Sequence, residues 1–272
     1  MRRVPANLLI GAVLVALVVG VAALSLVWTP HDHAALNIRG KFQGPSAVHW
    51  LGTDQLGRDV VSQLMAAARN SMTVALVAVL MGGSIGVALG LLASAVGGWV
   101  EDLVMRIADI GFAFPALLFA IMLAAVFGPS LTNAVLAIAF INIPVFARVA
   151  RASANQIWTR EYVAAARAAG LGRFAISRDH ILPNIAAPVI VQATIEFAVA
   201  ILAEAALSYL GLGAQPPSPS WGRMLSEAQT LMYLAPQLAI YPGLCIVAAV
   251  LGFSLLGDGL RDVSDPRLVR ER

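Results

Sequence analysis

The sequence predicts an all-α polytopic membrane protein with six transmembrane helices, and three observations carry that prediction. Hydrophobic residues make up 59% of the 272 and charged residues only 12%, too few charges to clothe a soluble surface of this size. Charge-free apolar runs near twenty residues recur along the chain, each long enough to cross about 30 Å of hydrocarbon as a helix. The basic residues are also distributed unevenly between the two sides that these runs define.

The predicted spans cover roughly 7–27, 72–96, 110–127, 131–149, 185–210 and 238–256. Arg2 and Arg3 ahead of the first run resemble the start of a signal peptide. That run lacks a clear Ala-x-Ala cleavage site, so it is read as an uncleaved anchor. Six spans put both termini on one side with the loops after spans two and four. Those segments hold thirteen of the eighteen basic residues, among them Arg106, Arg148, Arg151, Arg160, Arg167, Arg173, Arg178 and Arg261. The positive-inside rule therefore makes both termini cytoplasmic. Residues 1–70 read as an anchor helix, an extracytoplasmic loop and an interfacial helix, and 71–272 as a five-span core with a cytoplasmic loop at 150–184.

Several chemistries are excluded or disfavoured. The single lysine, Lys41, lies in the first outside loop, so no Gly-x-x-x-x-Gly-Lys-Ser/Thr phosphate loop exists. Cys245 is alone and cannot close an internal disulfide; it reads as packing. His31, Asp32 and His33 are three polar loop residues without a second ligand cluster, so no metal is assigned. Neither His-Glu-x-x-His nor Gly-x-Ser-x-Gly occurs, and the basic isoelectric point follows from topology without calling for nucleic acid.

The stretch from Arg148 to His180 has a helical grammar. Ala-rich residues from Arg160 to Ala169 favour a helix, and Gly170-Leu171-Gly172 supplies its stop. A second short helix is predicted from Arg173 to about His180, with Pro183 in the first turn of span five. Arg160, Ala164 and Arg167 share one face, while Tyr162, Val163, Ala166 and Ala169 point elsewhere. One reading is a basic loop lying on anionic lipid.

Against that stands the ordered spacing of Ala165-Ala166, Gly170 and Leu182-Pro183. It resembles the Glu-Ala-Ala loop of bacterial ABC importer permeases: Glu-Ala-Ala, three residues, Gly, nine residues, Ile-x-Leu-Pro. Ala164 stands at the Glu position and His180 at the Ile position. The resemblance implies a coupling helix that docks on a separate ATP-binding subunit through Tyr162, Ala165, Ala166 and Gly170. Glu161, almost a turn earlier, is the substitute acid, and with Ala164 in place docking leans on close packing and on Arg160 and Arg167.

A second block, Leu51-Gly-Thr-Asp-Gln-Leu-Gly-Arg-Asp59, resembles the signature of the C-type permease subunit of dipeptide, oligopeptide and nickel importers. Thr53 or Asp54 is placed to cap an interfacial helix whose Leu56, Val60, Val61, Leu64 and Met65 form an apolar stripe. A structural role is preferred for Asp54, Arg58 and Asp59. Further phrases follow in family order, including Gly97-Gly-Trp99, Ala113-Phe-Pro115, Ile201-Leu-Ala-Glu204, Pro216 to Gly222, Gly257 to Asp262, and Asp265-Pro-Arg267.

Gly82, Gly86 and Gly90 repeat every four residues, a small-residue ridge for close helix packing. Pro115 and Pro144 loosen spans three and four. Asp109 is expected to pair with Arg106 on its own helix. Glu196 and Glu204 lie in span five, where burial without partners costs several kcal/mol, so they are expected to face a polar passage or another subunit.

The resemblance implies the MetI-like fold of type I ABC importer permeases and a bacterial inner-membrane subunit for peptides or a related solute. It implies a homologous second permease, two ABC subunits that bind ATP and Mg, and an extracytoplasmic binding protein, with no cofactor in this chain. The alternative is an ion-coupled secondary carrier using Glu196 and Glu204.

Overall fold

The computed structural model describes residues 5–264. The Asp265-Pro-Arg267 phrase and the terminal arginines at 2, 3, 267, 270 and 272 lie outside them. In chain order the helices are α1 Ala6–Leu24, α2 Val60–Val96, α3 Gly98–Ala113, α4 Ala116–Phe127, α5 Leu131–Trp158, α6 Glu161–Ala168, α7 Arg173–Ile176, α8 Leu182–Tyr209, α9 Trp221–Gln229 and α10 Gln237–Ser264. Among the described residues, five helical segments are long and apolar enough to cross a membrane: α1, α2, α5, Arg173–Tyr209 and α10. The bent pair α3–α4 makes a sixth when counted as one span.

The loosening expected at Pro115 is a full break, and it divides the predicted span 110–127 between two helices. α3 and α4 meet at 82°. Pro115 lacks an N–H and forces its predecessor out of the helical region, and Phe114 accordingly takes φ −85° and ψ 118°.

The core is the parallel pair α2 and α5. A Cβ on Gly82 would meet the Ala139 carbonyl oxygen at 2.5 Å, one on Gly86 that of Ile143 at 2.5 Å, and one on Gly90 that of Ala147 at 2.4 Å. Each four-residue step along α2 thus meets a four-residue step along α5, and only hydrogen atoms fit between the backbones. Phe146 and the alanines at 137, 139, 147 and 150 complete the seam from the α5 side, all buried. α8 packs on both helices. α1 lies outermost, antiparallel to α10, where Gly11 abuts the backbone of Leu256 and Gly259 that of Leu8.

The expected interfacial helix capped by Thr53 or Asp54 is also corrected. Asp59 is the cap: its Oδ2 accepts from the Ser62 N–H at 2.8 Å, and α2 runs unbroken from Val60 through the predicted boundary at residue 70. Asp54 instead folds the preceding loop. Its Oδ1 accepts the N–H groups of Leu56 and Arg58 at 2.8 and 2.9 Å, and its Oδ2 accepts from Arg58 Nε at 2.6 Å and Gln63 Nε2 at 2.9 Å. Arg58 then reaches Glu227 of α9 at 2.7 Å, where Arg223 also binds at 2.8 Å. Two glycines of the block are obligatory in this knot: at Gly52, φ +80°, and Gly57, φ +74°, a Cβ would fall 2.3 Å and 1.8 Å from the carbonyl oxygens of Gln43 and Asn37.

Candidate functional site

At the pole opposite the α2 cap, α6 and α7 form a small platform beyond the end of α5. Arg160 is extended at ψ 145° and precedes α6, whose first turn carries Glu161, an acid well placed for the helix dipole. The far end closes as a Schellman motif: the Leu171 N–H donates to the Ala166 carbonyl at 3.1 Å and the Gly170 N–H to that of Arg167 at 2.9 Å. Gly170 sits at φ +88°, the left-handed conformation this stop requires.

The platform is held from beneath by apolar contacts. Val163, Ile176, Ile181 and Ile185 have no exposed surface and form one cluster with Ala150 and Ala154 of α5. Arg173 Nη1 donates to the Val96 carbonyl at 3.1 Å, tying the start of α7 to the last turn of α2. The expected separate helix up to His180 is corrected here. α7 continues through a π turn at Ser177–Ile181 into α8 as one helical segment, Arg173–Tyr209. Pro183 cannot donate to the carbonyl four residues back and crowds it, and the wider turn accommodates that missing bond. His180 turns toward Tyr162, ring centroids 6.4 Å apart, and the neighbouring Ile181 takes the buried place.

What faces outward is small and apolar. Ala164, Ala165, Ala168, Ala169 and Gly170 are exposed, and Ala166 is half-buried. Around them stand Tyr162, Leu171, Leu182, Pro183 and Phe174, the last 80% exposed on a helix of one turn. Phe174 and Leu171 escaped the sequence reading; the available signal was a bulky apolar pair bracketing Gly172 and Arg173 in an otherwise basic loop. Arg167 is also exposed, with its guanidinium laid over the Trp158 ring 4.8 Å from its centre. Arg160 and Glu161 lie on the exposed rim.

The intramembrane carboxylates part company. Glu204 has no exposed surface and accepts from the hydroxyls of Ser71 at 2.6 Å and Ser208 at 2.7 Å. The Ser208 hydroxyl in turn accepts the Ala214 N–H at 3.0 Å. Glu204 therefore clamps α2, α8 and the 210–220 loop inside this chain, which corrects its expected exposure to a passage or a neighbour. Glu196, buried, accepts from Gln192 Nε2 at 2.8 Å one turn back on α8. Asp109 pairs with Arg148 of α5 rather than with Arg106, and Arg148 also lies over the Phe112 ring. At the α2 cap, His31 is not grouped with Asp32 and His33 as a ligand set. Its ring faces His49, centroids 4.6 Å apart, close to Asp59.

A bent third span, glycine-sealed helices and a helical platform at one pole define an all-helical polytopic membrane protein. Residues 86–270 match the family model described as binding-protein-dependent transport system inner membrane component. The dipeptide transport system permease protein DppC of Alkalihalophilus pseudofirmus is 43% identical over 260 residues, covering 96% of this chain and 86% of that relative. The glutathione transport system permease protein GsiD of Pectobacterium atrosepticum is 45% identical over 226 residues, covering 83% and 75%. Inward-facing conformations of the MetNI methionine ABC transporter share the fold, at a TM-score of 0.62 and 19% identity over 75% of this chain and 97% of that one. The chain belongs to the family of binding-protein-dependent transport system inner membrane components. It is a permease subunit of an ABC importer, a family that works with ATPase and substrate-binding partners.

Proposed function

We propose that this chain forms half of the translocation passage of a short-peptide importer and that the α6–α7 platform is where ATP-binding subunits drive it. The observation that carries the reading is the pairing of a rigid underside with a small-residue outer face. Val163, Ile176 and Ile181 are sealed into the span cluster while Ala165, Gly170, Leu171 and Phe174 stay exposed. A surface of this kind is ready to enter an apolar cleft. ATP and Mg belong to the partner subunits, because this chain has no lysine within a phosphate-loop pattern. The platform and both termini are then cytoplasmic, and the loop 25–59 with α9 meets the binding protein on the other side.

A homologous permease supplies the second wall, and closure of the ATP-binding subunits turns the spans between inward- and outward-facing states. The relatives named for dipeptide and glutathione transport support short peptides as the cargo class. Selection rests with the binding protein, since the spans offer few polar side chains. The serine bonds that lock Glu204 between α2 and α8 favour a packing role for it over ion coupling.

The test replaces Phe174 with Ala in the assembled complex. Phe174 is almost free of contacts within the chain, so folding is preserved, and ATP-driven uptake of a dipeptide should fall at least tenfold together with ATPase subunit retention. Unchanged uptake and unchanged assembly would refute the docking assignment. Mass spectrometry of the ligand carried by the cognate binding protein checks the cargo class separately.

A further inference from the structure

We propose that His31, His49 and Asp59 form a binding site for a divalent transition-metal ion of the zinc type, which staples the 25–59 loop to the start of α2. One ligand atom from each of the three residues lies within 4.8 Å of the others. His49 Nδ1 is hydrogen-bonded to Asp59 Oδ1 at 2.9 Å, and opening the pair to roughly 3.3 Å would give the separation of two donors around one tetrahedral ion. The three residues come from separate parts of the loop, and their meeting is built by the fold rather than by neighbouring positions in sequence.

The surrounding bonds hold each donor in a usable state. His31 Nε2 lies 2.9 Å from the Val48 carbonyl, an acceptor only, so Nε2 carries the proton and Nδ1 keeps its lone pair. The His31 backbone is fixed as well, its N–H donating to the Ser62 hydroxyl at 2.9 Å. That hydroxyl donates to Asp59 Oδ2 at 2.8 Å, as does the Ser62 N–H. Oδ2 is thereby saturated and Oδ1 is left to face the imidazoles. Hydrogen-bonded outer partners of this kind orient ligands in metal sites. When the ion enters, the His49 proton moves from Nδ1 to Nε2, and Nδ1 and Asp59 Oδ1 become ligands beside His31 Nδ1.

Donor type selects the metal. Two imidazoles and one carboxylate suit zinc and its neighbours, whereas magnesium and calcium prefer all-oxygen shells. Three protein ligands leave positions for water or for a group from a docking protein. Asp59 caps α2, so an ion here couples the loop to the first turn of the helix at the centre of the fold.

The test uses the full chain, free of affinity tags, in lipid nanodiscs, titrated with Zn2+ by calorimetry in the presence of millimolar Mg2+. One saturable site per chain is expected. His31→Gln and His49→Gln should each weaken it at least tenfold, while His33→Gln, altering a nearby histidine outside the cluster, leaves it unchanged. Glutamine retains a donor toward Val48 or Asp59, so the loop keeps its fold. On the unaltered chain, Co2+ should give visible d–d absorption that Zn2+ abolishes at one equivalent. Absence of a saturable site, loss of binding to Mg2+ competition, or undiminished affinity in both His→Gln variants would overturn the assignment.

Discussion

Glu204 shows how a carboxylate is kept in the middle of a membrane protein: its two oxygens are each met by a serine hydroxyl, one from α2 and one from α8. Removing it strips both hydroxyls of their acceptor, at about 1–3 kcal/mol for each buried donor left unmatched, while the Ser208 oxygen keeps the Ala214 N–H. Glu204→Ala should therefore lower the thermal midpoint of the detergent-solubilised chain by several degrees, whereas Thr159→Ala, at an exposed helix end, should leave it in place. Asp59 offers a pH-dependent counterpart outside the spans. Burial works to raise its carboxyl, but the Ser62 N–H, His49 and the Ser62 hydroxyl more than offset this and hold it below the ordinary value of 3.8. A depressed pKa contributes stability that is fully present above the unfolded value and lost as pH falls through the folded one. Acid melts should accordingly show a loss below about pH 4, reduced in Asp59→Asn, which has no carboxyl there to titrate.

Among the elements, α2 and α5 make the sharpest demand on sequence. A methyl at position 86 would sit 2.5 Å from the Ile143 carbonyl oxygen and 2.7 Å from Phe146 Cβ, and overpacking of this kind costs typically about 1–3 kcal/mol. Gly86→Ala should destabilise the chain in melting experiments. Gly20→Ala, on an exposed face of α1 with nothing near the added carbon, should be neutral or stabilising by up to about 1 kcal/mol. The ridge was legible because a four-residue glycine period is visible without any coordinates. The helix runs were legible too, since hydrocarbon thickness sets their length. The places where helices join were not: the 82° break at Phe114–Pro115, the π turn before Leu182 and the fusion of 60–71 with span two leave hydropathy almost unchanged. Nor did composition reveal that Val163 is sealed while Ala165 is exposed, because that depends on which side of α6 the end of α5 covers. Pairings of distant residues, such as Arg148 with Asp109 or His31 with His49, were invisible for the same reason.

For the whole molecule, the platform matters because of what it is fastened to. α6 rests on α5 through Val163, α7 is bonded to the Val96 carbonyl at the end of α2 through Arg173, and α7 is continuous with α8. Under the proposed docking, a push on α6 reaches three spans that already pack on one another, an arrangement that favours motion of the core as a body over bending of one helix. Loosening that fastening should separate the two halves of the cycle. Val163→Ala removes two methyl groups from a fully buried site, roughly 2 kcal/mol of burial and cavity terms, while leaving the outer face of α6 intact. In proteoliposomes containing the assembled importer, ATP hydrolysis should persist and uptake should fall, so the ATP consumed per solute moved rises several-fold. Phe174→Ala acts instead on the exposed face of α7 and should lower hydrolysis and uptake together by releasing the ATPase subunits. An unchanged ratio for Val163→Ala would mean that force enters the spans by another route, even if docking at Phe174 held.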